Sequence, residues 1–285
     1  MEEDDLRASG NIEDRRGFGM GGVGAGGLGI GAVVILTLIG WATGINPLVL
    51  INGAEQVTQE RPAQYQPAQR GTPTDQVGQF VARILGETED VWSQQLPAET
   101  GRQYEKPILV LFSGATPSGC GTAQSAMGPF YCPRDRKLYL DTSFFQDMQR
   151  RLGGGGEFAY AYVIAHEVGH HVQNLIGLLP KVQQAERQSD DAAANNLSVR
   201  TELMADCLAG AWANHMNQRH NNLTESDLQE AVNTAAAIGD DRLSRAAGRA
   251  VVPDSFTHGS SEQRVRWLTT GYRRGTIAGC NTFEP

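Results

Sequence analysis

Two histidines four residues apart, with a glutamate directly after the first, constrain this chain more than any other feature: His166-Glu167-Val-Gly-His170. On an α-helix, positions four apart lie one above the other on the same face. Imidazoles so placed grip a single metal ion without any rearrangement of the backbone. Glu167 then sits about 100° around the helix, close enough to lean over the ion without ligating it. This is the H-E-x-x-H arrangement, in which zinc polarises a water molecule and the glutamate takes its proton. Short strings arise by chance, so the context decides. Tyr160, Val163, Ile164 and Val168 supply the apolar turns of a helix, and no proline interrupts them. The competing reading is a pair of core histidines.

Catalytic zinc takes three protein ligands and keeps a fourth position open. A third ligand three or six residues beyond His170 is ruled out, because Gln173 and Ile176 stand there. The metzincin pattern is thereby excluded. The remaining common solution is a glutamate on a later helix, and Glu202-Leu-Met-Ala-Asp206 offers one. Four residues apart, Glu202 and Asp206 share a face, while Leu203, Cys207, Leu208, Ala211 and Trp212 turn inward. Glu202 is expected to coordinate zinc. Asp206 is expected to accept the outer N–H of a ligating histidine and fix its tautomer.

With these residues in view, His166-Glu-x-x-His170 followed by Glu202-x-x-x-Asp206 resembles the gluzincin pattern of thermolysin-like and heat-shock-type membrane zinc peptidases. The chain as a whole is similar to a bacterial family of neutral zinc metallopeptidases. The likeness runs through a glycine-rich N-terminal anchor, Gly128-Pro-Phe-Tyr-Cys-Pro133, His166-Glu-x-Gly-His-His171, Glu202-Leu-x-Ala-Asp-Cys207 and His258-Gly-Ser-Ser-Glu-Gln-Arg264. It implies a zincin-type fold and a metal-dependent peptidase. Related gluzincins use a late histidine or arginine to stabilise the tetrahedral oxyanion, which makes His258, together with Arg264, the candidate here. His171 points off the metal face and reads as either structural or a residue that supports a metal ligand from behind.

The N-terminus carries a second signal. No charged residue lies between Arg16 and Glu55, and residues 28–51 are long and apolar enough to span a bilayer. A cleaved signal peptide is the rival, but no small-x-small cleavage site follows. Arg15 and Arg16 flank the stretch on its N-terminal side, and no further Lys or Arg occurs before Arg61. The positive-inside rule then places Met1 in the cytoplasm and the bulk of the chain outside. Residues 1–27 read as a disordered cytoplasmic tail, 28–51 as a single-pass anchor, 52–74 as a Pro- and Gln-rich linker, and 75–285 as the peptidase domain. In an oxidising compartment four cysteines suggest two disulfides, and proximity favours Cys120–Cys132, which leaves Cys207–Cys280.

Within the domain, Val77 to Leu85 show helical spacing, with Gly86 as the expected stop. Residues 106–112 read as a central strand, and 127–132 with 137–141 as a hairpin. Pro129 demotes the first hairpin strand to an edge, which is either merely protected or free to pair with an extended substrate. Ala126, Met127 and Gly128 are the candidate substrate-binding residues. The expected fold is α+β: a mainly helical zincin-like domain with a small mixed sheet and one transmembrane helix. A net charge of −8, with no basic block, gives nucleic-acid binding no support. The expected activity is zinc-dependent hydrolysis of peptide bonds in peptide or protein substrates. Two rivals remain, a non-catalytic envelope scaffold retaining structural zinc and a chelator-sensitive hydrolase of non-peptide bonds.

Overall fold

The computed structural model describes residue 1, residues 3–16, 68–152 and 156–284. The expected anchor at 28–51 and most of the linker lie outside the described residues. Among those described, no helix is long and apolar enough to cross a membrane.

A five-stranded mixed sheet forms one layer. Its strands are β1 (Ile12–Asp14), β2 (Gln69–Arg70), β3 (Ile108–Phe112), β6 (Phe130–Cys132) and β7 (Lys137–Asp141), in the order β2-β1-β3-β7-β6. The apolar run Leu109 to Phe112 is wholly buried, as expected for a central strand, and β3 runs parallel to both β1 and β7. β6 folds back antiparallel on β7, which makes it an edge strand. Residues 127–129 are not in the ladder: a short 3-10 turn, Ser125–Met127, leads to Gly128 at φ 74°. A separate hairpin, β4 (Ala115–Ser118) with β5 (Gly121–Gln124), occupies a stretch that the sequence marks only as a loop. The Cys120–Cys132 disulfide fastens the tip of this hairpin to the edge strand.

Eight helices complete the described fold: α1 (Gln76–Thr100), α2 (Ser143–Leu152), α3 (Glu157–Leu175), α4 (Leu178–Glu186), α5 (Asp191–His220), α6 (Glu225–Ala237), α7 (Asp240–Ala246) and α8 (Ser261–Arg274). α3 carries the histidine motif and α5 the carboxylate pair. Reciprocal side-chain caps fix the starts of α6 at Thr224 and Asp227 and of α8 at Ser260 and Gln263, as the sequence pattern predicts. The second disulfide, Cys207–Cys280, ties the C-terminal segment to the middle of α5.

Two expectations are corrected. Gly86 does not end α1, which runs on to Gly101 in a left-handed cap. Gly86 is there because the N-terminal segment crosses the helix at that point: a Cβ would lie 2.0 Å from the Arg7 carbonyl oxygen. Nor are residues 3–16 a disordered tail. Leu6 and Ile12 are buried in the main core, and Ser9 N–H donates to the Ala82 carbonyl at 2.8 Å. Gly86→Ala should therefore lower stability by about 1–3 kcal/mol through overpacking, seen as a drop in Tm by calorimetry.

Candidate metal centre and active site

Helix α3 presents His166 and His170 to one side, and α5 crosses it there with Glu202. Close approach of the two helices needs a small residue: a Cβ on Gly169 would meet the Ala205 carbonyl oxygen at 3.0 Å. One ligand atom from each of His166, His170 and Glu202 lies within 4.8 Å of the others. His166 Nε2 is 3.2 Å from Glu202 Oε2, and His170 Nε2 is 3.4 Å from Glu202 Oε1. Ligand atoms about 2.0–2.1 Å from a tetrahedral zinc stand about 3.4 Å apart; each of these two contacts is near that value, with one Glu202 oxygen facing each histidine. The imidazole rings are perpendicular, with centroids 4.8 Å apart.

Both histidines are held by their outer nitrogens. His166 Nδ1–H donates to Asp206 Oδ1 at 2.9 Å. Asp206 is fully buried, and three further bonds satisfy it: from Tyr162 Oη at 2.6 Å, and from Arg264 Nε and Nη2 at 2.9 Å each. Burial alone would raise the Asp206 pKa, but Arg264 and His166 hold it down at about 2. Desolvation works against a charged His166, yet the carboxylates of Asp206 and Glu202 raise its pKa to about 10. This is a centre built to attract positive charge. Arg264 thus commits Nε and Nη2 to Asp206, while also lining the cleft.

His170 is oriented by a residue whose role the sequence does not reveal. Its Nδ1–H donates to Gln173 Oε1 at 3.0 Å, and Gln173 Nε2 donates to the Thr201 carbonyl at 2.7 Å. That second bond turns the amide oxygen toward the histidine. Gln173 is wholly buried, three residues after the ligand it serves. A buried amide one turn from a ligand is the only trace of this role in the sequence.

Glu167 is half-buried beside the ligands, and desolvation raises its pKa above the ordinary glutamate value. Tyr131, on β6, lines the same cleft as Glu167. The Tyr131 side chain is in turn pinned to α3. Asn174 Nδ2 donates to Tyr131 Oη at 2.9 Å, Tyr131 Oη–H donates to His171 Nδ1 at 3.0 Å, and His171 Nε2–H donates to the Glu105 carbonyl at 2.6 Å. His171 therefore has a structural task, locking the edge strand against the motif helix.

The centre opens on a cleft of about 480 Å³, walled by Met127, Gly128 and Phe130 on one side and by Leu179, Val182 and Leu243 on another. Ala126 lies within the 3-10 turn Ser125–Met127. His258 also lines the cleft, with Nδ1 3.3 Å from Asp240 Oδ1 and its side chain half exposed. All four cysteines lie outside the metal set, in the two expected disulfides.

Residues 1–283 match the sequence profile of the family described as "Putative neutral zinc metallopeptidase". Among curated proteins, "Uncharacterized protein YpfJ" of Escherichia coli (strain K12) is 46% identical over 284 residues, 97% of this chain and 96% of that protein. "Uncharacterized protein Rv2575" of Mycobacterium tuberculosis (strain ATCC 25618 / H37Rv) is 43% identical over 204 residues, 68% of this chain and 66% of its own. No solved structure matches the chain. The chain belongs to the zinc metallopeptidase family.

Two outcomes follow from this geometry. Gln173→Leu should weaken zinc binding about 10- to 100-fold, measured by competition with a chromogenic chelator. His171 supplies a pH effect, because burial lowers its pKa from 6.5 to about 4. With the folded value below the unfolded one, its stabilisation is complete above about pH 6.5 and is lost as pH falls through about 4, a change of about 3 kcal/mol. Chemical denaturation across that range should show a steeper pH slope for the native chain than for His171→Phe.

Proposed function

We propose that this chain is a membrane-attached zinc endopeptidase that hydrolyses peptide bonds outside the cytoplasm. The observation that carries the proposal is the open three-ligand set of His166, His170 and Glu202, with Glu167 beside it at the floor of a cleft bordered by an edge strand. Zinc bound to these residues supplies Lewis-acid chemistry, lowering the pKa of water toward about 7 and polarising a carbonyl oxygen.

The protein's own groups do the rest. Glu167, whose pKa burial raises, accepts a proton from the attacking water and delivers it to the leaving amine. Asp206 and Gln173 keep each imidazole in the tautomer that turns Nε2 inward. β6, next to the Ala126–Met127–Gly128 turn, offers its free edge to an extended substrate backbone. Asp240 raises the His258 pKa through their hydrogen bond, which favours the cationic form suited to a developing oxyanion.

The apolar residues 28–51 support membrane attachment. The two disulfides support an oxidising compartment. A scaffold with structural zinc is the less favoured reading, since structural zinc is closed by four protein ligands. Among the described residues no fourth His, Cys, Asp or Glu joins the three.

A peptide library incubated with and without chelator tests the reaction, and two substitutions separate the roles. Glu167→Gln should retain zinc and lose at least 1,000-fold in kcat/KM, about 4 kcal/mol, whereas His166→Ala should lose the metal itself. Zinc content by mass spectrometry, alongside peptide cleavage, reads both; undiminished cleavage by Glu167→Gln would sink the scheme.

A further inference from the structure

The N-terminal segment is built into the domain by strand pairing, ion pairs and core contacts. β1 lies inside the sheet, parallel to β3 (Ile12↔Leu109, Glu13↔Val110, Asp14↔Leu111) and antiparallel to β2 (Glu13↔Arg70, Asp14↔Gln69). The chain therefore leaves the sheet after Asp14 and returns at Gln69 as the adjacent strand. Arg16 closes this excursion at its base, reaching Asp14 at 2.6 Å and Asp75, the N-cap of α1, at 2.5 Å. Arg15 is engaged as well, with Glu13 at 2.7 Å and Thr116 Oγ1 at 2.8 Å. The two arginines that read as charges flanking a membrane span are thus bound to the domain on its own side.

The core of α1 depends on the same segment. Glu89 is fully buried, and Ser9 Oγ and Asn11 Nδ2 each donate to its Oε1 at 2.6 Å, while Arg7 Nη2 donates to its Oε2 at 2.9 Å. Were residues 3–16 elsewhere, Lys106 at 3.2 Å would be the partner left to Glu89 among these groups. The notch at Gly86 would stand empty, and β3 would expose an unpaired edge.

Neighbouring strands are about 4.8 Å apart, and the hydrocarbon core of a bilayer is about 30 Å thick. One crossing between residues 16 and 69 would place paired strands on opposite faces of that core. We infer that residues 3–16 lie in the same compartment as the domain, on one face of the membrane to which the chain is proposed to be attached. The disulfides place that compartment on the oxidising side, so the N-terminal strand is outside the cytoplasm. This arrangement replaces the single crossing, with Met1 in the cytoplasm, that the flanking charges suggest. It rests on the membrane attachment proposed above but not on catalysis.

The test uses the full chain. All four cysteines are in disulfides, so an introduced cysteine is the sole free thiol. Asp5 and Gln188 are exposed, one in the N-terminal segment and one in the turn after α4. Spheroplasts expressing Asp5→Cys or Gln188→Cys are treated with a membrane-impermeant maleimide before and after lysis. Membranes from the same cells are washed with alkaline carbonate. The expected result is equal labelling of both positions in intact spheroplasts, with the protein retained in the washed membrane pellet. Gly10, which has open space where a Cβ would stand, gives Gly10→Cys as a second reporter closer to β1. Labelling of Gln188→Cys in intact cells, with the N-terminal cysteines reached only after lysis, would overturn the shared compartment. Labelling of both only after lysis would overturn its placement outside the cytoplasm. Release into the carbonate supernatant would overturn the membrane attachment.

Discussion

One buried carboxylate holds the active-site region together. Asp206 stands where α3, α5 and α8 meet, and each helix contributes to its environment: His166 and Tyr162 from α3, Arg264 from α8, and the aspartate itself from α5. A lone buried anion costs several kcal/mol, and removing one partner of a buried pair typically costs about 3–5 kcal/mol. Asp206 escapes that cost through four donated hydrogen bonds. The same arrangement sets the His166 tautomer, so what stabilises the helix junction also aims the ligand. The geometry of the centre is therefore coupled to the packing of the C-terminal helix, which the Cys207–Cys280 disulfide further fixes against α5.

A second set of ties runs from the motif helix to the sheet. Tyr131 connects β6 to α3 through its hydroxyl, which His171 and Asn174 hold. The edge strand is thereby fixed against the helix that carries His166, Glu167 and His170. On the far side of the sheet, β1 completes the pairing of β3 and supplies partners to Glu89 on α1. The sheet is consequently assembled from both sides of the residue 17–67 excursion, so that the order of strands in space differs sharply from their order in the chain.

That difference explains which features the sequence displays openly. Helical periodicity around His166 and the Glu202–Asp206 spacing are local patterns, so the three ligands and their helices are legible without coordinates. The capping boxes at Thr224 and Ser260 are local too. The disulfide partners follow from chain proximity and elimination, and the structure agrees. Long-range roles were hidden. Gly86 has the form of a helix stop, and only the crossing of Arg7 to Ser9 shows why a glycine is needed inside α1. Ile12 to Asp14 is too short and too polar to register as a strand until β2 and β3 flank it. The bond from Arg264 to an aspartate 58 residues away has no trace in the chain's local pattern.

The placement of Arg264 also bears on the chemistry. If Asp206 had only His166 as a partner, its full negative charge would act on the ligand set through a single imidazole, in a buried site where charges are weakly screened. Arg264 neutralises that charge with a two-bond contact at 2.9 Å from each oxygen. Asp206 can then orient His166 without adding a second full carboxylate to the one Glu202 brings. A divalent ion held by His166, His170 and Glu202 would then face one carboxylate and two imidazoles, a set that would leave it net positive and able to polarise a carbonyl oxygen. A buried arginine at the cleft wall therefore acts on His166 through Asp206, setting both the orientation of that imidazole and the charge around it.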